Sequence, residues 1–301
     1  MTKLIEEARV QSSYASTTIE GNPLALTVVK ALLKGKPTQL SQSEQEVSNY
    51  NEALIQLQQQ NFSEEAVLAI HRRVSYQLLL PEKSGAYRQE PVFIHNPLTG
   101  RVIFLPPDHD DVPRLMKELY DFVHAQTDLD PVVMAGLFHK QFVLIHPFFD
   151  GNGRTVRLAS TLLLRDLGLN LLNLLSFENY YNRNVSRYFH FVGERGDYYE
   201  LKVDFAGWLE YFAEGILDEL MRLEKALSQA ANQDNPLKAH HQLIINYLEQ
   251  HGRISDKDYA RLVSRAKATR VLDFNMLIEL GFIERKGKGP SSYYVKKIKD
   301  D

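Results

Sequence analysis

Cysteine is the clearest absence, because the 301 residues contain none. The chain can therefore form no disulfide, use no thiolate nucleophile and build no cysteine-ligated zinc site. Apolar runs of about 18 residues, the length that crosses a membrane, are also missing. The N-terminal segment MTKLIEEARVQ lacks the charged-then-apolar pattern of a signal peptide. These absences predict a cytoplasmic protein without membrane contact.

A large excess of charge of one sign is missing as well, since 35 Lys and Arg stand against 38 Asp and Glu. A net charge of −3 argues against a protein that coats nucleic acid over its whole surface. What is present is ordinary for a folded chain, with 44% hydrophobic and 24% charged residues. The length leaves room for about two domains.

Helical periodicity dominates the first two thirds of the chain. Apolar residues recur at helical spacing from Lys3 to Ile19, and Gly21 ends that helix. Asp130-Pro131 is a cap followed by proline at the first helical position, and it opens a helix that runs to Ile145. Further helices are predicted over 44–60, 63–79 and 112–126. The pattern predicts a mainly α protein.

One segment breaks the helical period. Residues 92–94 and 101–105 are β-rich and flank a turn-forming cluster, HNPLTG, over residues 95–100. They predict a lone β-hairpin. Because an isolated hairpin is marginal in water, it must pack against the helices or serve a purpose that tolerates mobility.

The chain changes character after a linker-like stretch over residues 228–236. From 236 to 301 it carries 13 Lys and Arg against 8 Asp and Glu, a charge of +5. Three predicted helices and two β-rich segments follow one another there, an order that resembles a winged helix. We therefore expect three regions, an N-terminal helical region over 1–80, a core over 81–228 and a winged-helix-like domain over 236–301.

Winged helices commonly read DNA with one helix in the major groove, although many dock proteins or dimerise instead. Basic residues cluster about the expected recognition element and wing: Arg261, Arg265, Lys267, Arg270, Arg285, Lys286 and Lys288. Their charge makes DNA contact through 236–301 a prediction, beside the alternative of protein docking.

Residues 146–157, HPFFDGNGRTVR, combine a glycine-rich turn with the start of a helix. Gly151 and Gly153 let backbone N–H groups approach an anion closely, and the helix N-terminus adds the positive end of its dipole. Arg154 and Arg157 are three residues apart, so they project from the same helix face. This combination predicts a site for a polyphosphate.

Two further side chains in this stretch suit phosphate chemistry. Asp150 offers a hard carboxylate that can hold Mg²⁺ against phosphate oxygens. His146 is the group in the cluster that exchanges a proton near neutral pH without a large pKa shift.

The stretch resembles the signature of the Fic family, His-x-Phe-x-[Asp/Glu]-Gly-Asn-Gly-Arg-x-x-Arg, at all eight specified positions. Gly85-Ala86-Tyr87-Arg88, the hairpin and Leu105-Pro106-Pro107 resemble the family's upstream flap region, so the likeness covers most of residues 1 to about 225. It implies a mainly α, Fic-type helical bundle with a β-hairpin flap, followed here by a small winged-helix domain.

The resemblance implies transfer of AMP from ATP to a Ser, Thr or Tyr hydroxyl of a target protein and to the protein itself. His146 would be the general base, Asp150 would hold Mg²⁺, and Arg157 would bind the γ-phosphate. The α- and β-phosphates would be bound by the loop and helix start: Gly151, Asn152, Gly153 and Arg154. Gly153 favours nucleotidyl transfer, because the Doc branch, which transfers phosphate, carries Lys there.

The resemblance also suggests where the base and the target bind. Val143, Tyr188 and Phe189 are candidates for the adenine pocket. The flap, residues 92–105, would hold the target segment by main-chain strand pairing. Glu194-Arg195-Gly196-Asp197 departs from the family's Asn-Glu-Gly-Asp, so no Asn contact to the base is expected.

Ser16-Thr-Thr-Ile-Glu20-Gly resembles the family's inhibitory motif, [Ser/Thr]-x-x-x-Glu-[Gly/Asn], within an inhibitory helix over about 3–21. Glu20 would pair with Arg157 in the place of the γ-phosphate, and Ser16 is the motif's first residue. A partly buried Arg–carboxylate pair is strong enough for one Glu to suppress productive ATP binding.

Other functions stay open at this stage. A DNA-binding regulator with a nucleotide-sensing Fic-like core would need the phosphate loop but not His146 as a base. Another alternative is an enzyme of the same kind that transfers UMP or another phosphate-containing group. The sequence leaves the target and the release of inhibition undetermined, and we expect a monomer or a homodimer.

Overall fold

The computed structural model describes residues 2–35, 39–96, 99–169, 174–234, 237–287 and 292–297. Within these ranges the helices are α1 (Thr2–Ile19), α2 (Leu26–Lys34), α3 (Gln42–Gln56), α4 (Glu64–Val74), α5 (Val112–Ala125), α6 (Pro131–Ile145), α7 (Asn152–Asp166), α8 (Glu178–Asn182), α9 (Val185–Val192), α10 (Ala206–Asp234), α11 (Ala239–His251), α12 (Asp256–Leu262) and α13 (Lys267–Glu279). The strands are β1 (Ile94–His95), β2 (Val102–Leu105), β3 (Gly196–Asp197), β4 (Ile283–Lys286) and β5 (Tyr293–Lys296).

The mainly α fold class is confirmed. The chain divides into two compact units, Met1–Ala226 and Leu227–Asp301. The finer division into 1–80, 81–228 and 236–301 stays a prediction. Among the described helices, none combines the length and the apolar character needed to cross a bilayer.

Helix α6 is the centre of the first unit. Asp130 caps it as predicted, with its carboxylate accepting from the N–H groups of Val132 and Val133 at 2.8 and 3.4 Å. Apolar residues surround the helix on most sides, and Phe138 and Phe142 are fully buried, as expected for a helix inside a core. Helix α7 packs beside α6, so the C-terminus of α6 and the N-terminus of α7 lie close together.

Helix α1 packs against α3 and α8. Beneath it the Glu178 carboxyl is 1% exposed and accepts a 2.7 Å hydrogen bond from the Tyr50 hydroxyl. Burial raises the pKa of Glu178 to about 7, although the Tyr50 hydrogen bond opposes this shift. The packing interface beneath α1 therefore contains a carboxyl group whose pKa lies near neutral pH.

Two helical predictions differ from the structure. The helix predicted over 63–79 ends at Val74, because the Ser75 hydroxyl bonds the His71 carbonyl at 2.7 Å and Gln77 turns left-handed with φ 59°. Helix α2 was not predicted, since it is 9 residues long and only Val29 is fully buried on it.

The prediction of a lone hairpin is wrong. Strands β1 and β2 pair antiparallel, and β2 also pairs parallel with β3, through Phe104 with Gly196 and Leu105 with Asp197. Gly196 adopts φ 100°, a conformation that favours glycine. The resulting sheet has the order β1-β2-β3, so β1 lies at an edge. Pro97 of the predicted turn lies outside the described residues.

The second unit contains α11, α12 and α13 followed by the antiparallel pair β4 and β5. Ile254, between α11 and α12, adds a bridge to Tyr294 of β5. A separate core holds these elements together, built on side chains such as Ile244, Tyr259, Phe274 and Leu277. Helix and strand order match the prediction, and the winged-helix interpretation stays a prediction. Lys288 lies outside the described residues.

The buried Glu178 carboxyl predicts a pH effect on stability. Its folded pKa of about 7 lies above the ordinary 4.5, so its contribution is full below pH 4.5 and is lost as the pH rises through 7. The unmodified protein should therefore lose unfolding free energy from pH 5 to pH 8 that the Glu178→Gln variant does not lose. The difference in unfolding free energy between the two should shift in favour of the variant by up to about 3 kcal/mol over this range. Denaturant unfolding at both pH values measures the difference.

The comparison must be made between variants, because the pKa values of buried His71 and His146 are lowered to about 4 by burial. Their contribution is present above pH 6.5 and is lost as the pH falls toward 4, opposite to that of Glu178. Glu214→Gln, at a carboxylate 51% exposed on α10, is the matched control. Equal pH slopes in Glu178→Gln and Glu214→Gln would contradict the prediction.

Candidate active site

The end of α6 presents His146. This residue caps the helix in a left-handed conformation, with φ 52° and ψ 59°, which costs a residue other than glycine roughly 1 kcal/mol. Its backbone N–H still donates to Phe142 O at 3.0 Å. The turn leads directly into the glycine-rich loop, so the local strain lies at the candidate catalytic residue.

Burial lowers the pKa of His146 to about 4, so its imidazole is neutral at pH 7. The Nδ1 atom lies 3.3 Å from Val143 O. A carbonyl only accepts hydrogen bonds, so Nδ1 carries the ring proton and Nε2 keeps a free lone pair. In this tautomer His146 can accept a proton through Nε2.

The loop is closed by the side chain of Asn152. Its Oδ1 accepts from Phe148 N at 2.9 Å, and its Nδ2 donates to Phe148 O at 2.8 Å. Phe148 is fully buried, as expected of an anchor. Gly151, at φ 78°, then opens α7 in a conformation that favours glycine. The Asn152 side chain therefore shapes the loop, while its backbone N–H belongs to the start of α7.

Sequence reasoning missed His71 of α4. Its ring stacks on Phe148 with centroids 3.7 Å apart. Nδ1 accepts from Gly85 N at 2.9 Å, so the ring proton is on Nε2, which donates to Asp150 O at 2.9 Å. A histidine on an amphipathic helix carries no sequence signal for such a contact, because its partners lie 14 and 79 positions away.

Asp150 and Arg154 meet at the mouth of the loop. The Asp150 carboxylate is 60% exposed and pairs with Arg154 Nη2 at 3.1 Å. Arg154 itself is buried, and its Nε and Nη1 atoms have no hydrogen-bond partner among the described residues. Buried guanidinium donors without a partner are costly, so these atoms mark a place for an anion.

Arg157 is fully buried and meets α1. Its Nε donates to Ser16 Oγ at 2.7 Å and its Nη2 to Ser16 O at 2.9 Å. Nη2 also pairs with Glu20 Oε1 at 2.8 Å. Burial opposes the charged form of Arg157, but Glu20 and the neighbouring phenols raise its pKa overall. The structure thus joins the predicted inhibitory residues to the predicted γ-phosphate ligand.

Gly153 provides the space that Glu20 occupies. A β-carbon at position 153 would clash with the Glu20 carboxylate and come within 3.1 Å of Arg157 Nη1. The carboxylate therefore lies over the first turn of α7, where an anion is favoured by the helix dipole.

The three candidates for the adenine pocket differ in how far they are buried. Tyr188 is 1% exposed and its hydroxyl lies 3.0 Å from His139 Nε2 and 3.4 Å from Arg157 Nη1. Phe189 is 48% exposed, and Val143 is half-buried. Their assignment to adenine stays a prediction.

Outside this site, the basic residues of the second unit are partly engaged. Arg265 pairs with Asp273 at 3.0 Å, and Arg270 forms bonds of 2.8 and 2.9 Å to Asp256. With Lys286, which pairs with Glu284 at 2.9 Å, three of the predicted DNA-contacting side chains are thus held by carboxylates of their own unit. DNA binding stays a prediction that depends on the others.

His240, His241 and Asp273 are close enough to raise the possibility of a metal site. However, Asp273 already accepts from Tyr259 and pairs with Arg265. Because His241 Nδ1 accepts from Lys238 N at 3.2 Å, its Nε2 carries the proton and faces Asp273. Hydrogen bonds and ion pairs within the second unit therefore account for the cluster.

Residues 61–164 match the model of the Fic/DOC family. The chain is 31% identical over 179 residues to the protein adenylyltransferase Fic of Nematostella vectensis, covering 56% of this chain and 40% of the relative. It is 32% identical over 174 residues to the protein of that name from Drosophila willistoni, covering 53% and 33%. The chain thus spans less than half the length of these curated relatives.

Among solved structures, a Fic family protein from Desulfovibrio desulfuricans G20 is similar over all of this chain and 90% of its own, with 26% identity and a TM-score of 0.65. A Fic domain-containing signaling protein from Bacteroides thetaiotaomicron VPI-5482 is similar in fold, with 21% identity and a TM-score of 0.59, covering 76% of this chain and 90% of that one.

The Ser16–Arg157 contact predicts a stability cost. Ser16→Ala removes the acceptor of a buried charged donor and should lower the free energy of unfolding by about 1–3 kcal/mol. Ser13→Ala is a matched control, since Ser13 is equally buried on α1 and its Oγ has no partner among the described residues. Urea unfolding of both variants tests this, and an equal loss in both would contradict the role of the contact.

Proposed function

We propose that this chain, whose residues 61–164 form a Fic/DOC domain, transfers AMP from ATP to a hydroxyl group of a target protein and of itself. The observation that carries the proposal is the meeting of two features at the end of α6. One is a neutral histidine with a free Nε2 lone pair, and the other is a buried arginine, Arg154, with unpartnered donors.

The anion site fits the phosphates of a nucleotide. The Nε and Nη1 atoms of Arg154 supply charged donors that the protein leaves unpaired. The backbone N–H groups of Gly151, Asn152 and Gly153 begin α7, where helix geometry leaves such groups without internal acceptors. These groups would bind the α- and β-phosphates, and Arg157 would bind the γ-phosphate once Glu20 has left.

The exposed Asp150 carboxylate fits Mg²⁺, which prefers oxygen ligands and binds through one or two carboxylates together with phosphate oxygens. When bound, the ion would neutralise charge on the phosphate oxygens. Because His71 holds the Asp150 carbonyl, the backbone that carries this ligand is fixed before any ion arrives.

In the proposed reaction, the oxygen of a target hydroxyl attacks the α-phosphorus of ATP and pyrophosphate leaves. The hydroxyl proton passes to His146 Nε2. Positioning and charge stabilisation carry this class of reaction, and the residue types of the loop supply both. The flap would hold the target segment along the open edge of β1, where main-chain groups are free to pair.

Glu20 would act as a brake on this reaction. Its carboxylate occupies Arg157 and the space over Gly153 that the γ-phosphate requires. ATP would then bind without a correctly placed γ-phosphate, and its α-phosphorus would not face the target hydroxyl. The purified protein should therefore show little activity.

Glu20→Gly is expected to raise AMP transfer, including self-modification, by at least about tenfold, the effect of about 1.4 kcal/mol of lost inhibition. Labelling with α-³²P-ATP and Mg²⁺ measures this on the protein itself and on a cell lysate. Parallel reactions with α-³²P-UTP test whether UMP is the transferred group.

Two variants make the experiment specific. Glu20→Gly combined with His146→Ala should abolish the label. Glu7→Gly introduces the same change on α1 at an exposed carboxylate and should leave the protein as inactive as before. Equal labelling of the unmodified protein and Glu20→Gly would remove the brake. ATP binding without any labelling would favour a nucleotide-sensing regulator.

A further inference from the structure

Arg88 is a buried arginine outside the twelve-residue motif, with 5% of its surface exposed. Its guanidinium donates to backbone carbonyls: His146 O at 2.9 Å, Pro107 O at 2.5 Å, Glu90 O at 3.3 Å and Ile145 O at 3.5 Å. The backbone N–H of Arg88 donates to Pro147 O at 2.9 Å. Within the described part of the chain Arg88 forms no ion pair, so backbone carbonyls accept all of these hydrogen bonds, while the Asp108 carboxylate stabilises the charge only from a distance.

These carbonyls belong to three different segments. Ile145 and His146 end α6, Glu90 lies just before the flap, and Pro107 lies just after it. The guanidinium therefore joins both ends of the flap to the helix end that carries His146. A positive group at a helix C-terminus is also favoured by the helix dipole, and here it supports a residue held in a left-handed conformation.

We propose that Arg88 is a positioning residue, which fixes the His146 imidazole relative to the two ends of the flap that would hold the target. This inference rests on the proposed function, because it concerns the same reaction. A hydroxyl held by the flap reacts only if its oxygen lies within hydrogen-bonding distance of His146 Nε2. Small errors in this placement reduce the rate of such a reaction strongly.

Arg88 also acts on the charge state of His146. Burial is the main cause that lowers the His146 pKa, the Arg88 charge lowers it further, and Glu20 and Asp150 raise it. Removing the Arg88 charge should therefore raise the His146 pKa. Looser packing around His146 would raise that pKa as well, because burial lowers it, so the effect of the charge is measured as the difference between a variant that keeps the positive charge at position 88 and one that removes it.

The test uses the full chain in the Glu20→Gly background, so that Glu20 acts on none of the variants. Arg88→Met removes charge and donors, Arg88→Lys keeps the charge but loses the forked donors, and Arg114→Met is the control at an arginine 56% exposed. The His146 pKa is followed by NMR of ¹⁵N-histidine-labelled protein, with the signal assigned through His146→Ala. The kcat of AMP transfer and the KM for ATP are measured in parallel.

Arg88→Met should raise the His146 pKa relative to Arg114→Met, because the charge that lowers it is removed. Its kcat should fall at least about tenfold while the KM for ATP changes less than about twofold. Arg88→Lys should keep the His146 pKa but still lose at least about threefold in kcat, and this arm decides the question if Arg88→Met does not fold.

An unchanged His146 pKa in folded Arg88→Met, or full activity of Arg88→Lys, would overturn the inference. The NMR measurement needs no AMP transfer. A shifted pKa in a protein that labels nothing would thus leave Arg88 as the residue that sets His146, while the proposed function fails.

Discussion

Burial of the Arg157 guanidinium is the constraint on which the site depends. A charge without solvent must be paired, and breaking such a pair without replacement costs about 3–5 kcal/mol. The protein meets this need with Ser16 of α1, which binds Nε and Nη2, and with Glu20 just after the end of α1, which binds Nη2. Under the proposed function a nucleotide phosphate would take the place of the Glu20 carboxylate, so the two anions would compete for one buried guanidinium.

The residues that hold the loop between α6 and α7 in place are not the ones expected to take part in the reaction. The Asn152 side chain closes it, His71 stacks on its anchor Phe148, and Arg88 gathers the carbonyls at its start. The Asn152 and Arg88 contacts satisfy backbone groups that would otherwise be buried and unpaired, and His71 does the same for Asp150 O through its Nε2. The backbone donors at the start of α7 are thus arranged before any ligand binds, which spares the reaction the cost of arranging them.

Local periodicity predicted most of the longer helices and the loop, and the resemblance to the inhibitory motif implied the approach of Glu20 to Arg157. Neither predicted what depends on long-range pairing. The parallel pairing of Phe104 with Gly196 joins segments about 90 residues apart in the chain and leaves no period in either segment. Likewise, the charges of Arg265 and Arg270 indicated an exposed basic face, whereas the fold brings each to a carboxylate of its own unit.

The geometry of α1 determines how much must move for Glu20 to leave. The helix ends at Ile19, and Gly21 follows at φ 91°, so the Glu20 side chain, 29% exposed, projects from the helix terminus. Ser16 lies one turn inside the helix and bonds Arg157 through both its hydroxyl and its carbonyl. If Glu20 gives way to a phosphate as proposed, rotation of its side chain would vacate the position without unfolding α1, and Arg157 would keep both of its bonds to Ser16. The exchange would then need only a local rearrangement, so a modest difference in affinity between the two arrangements would shift it.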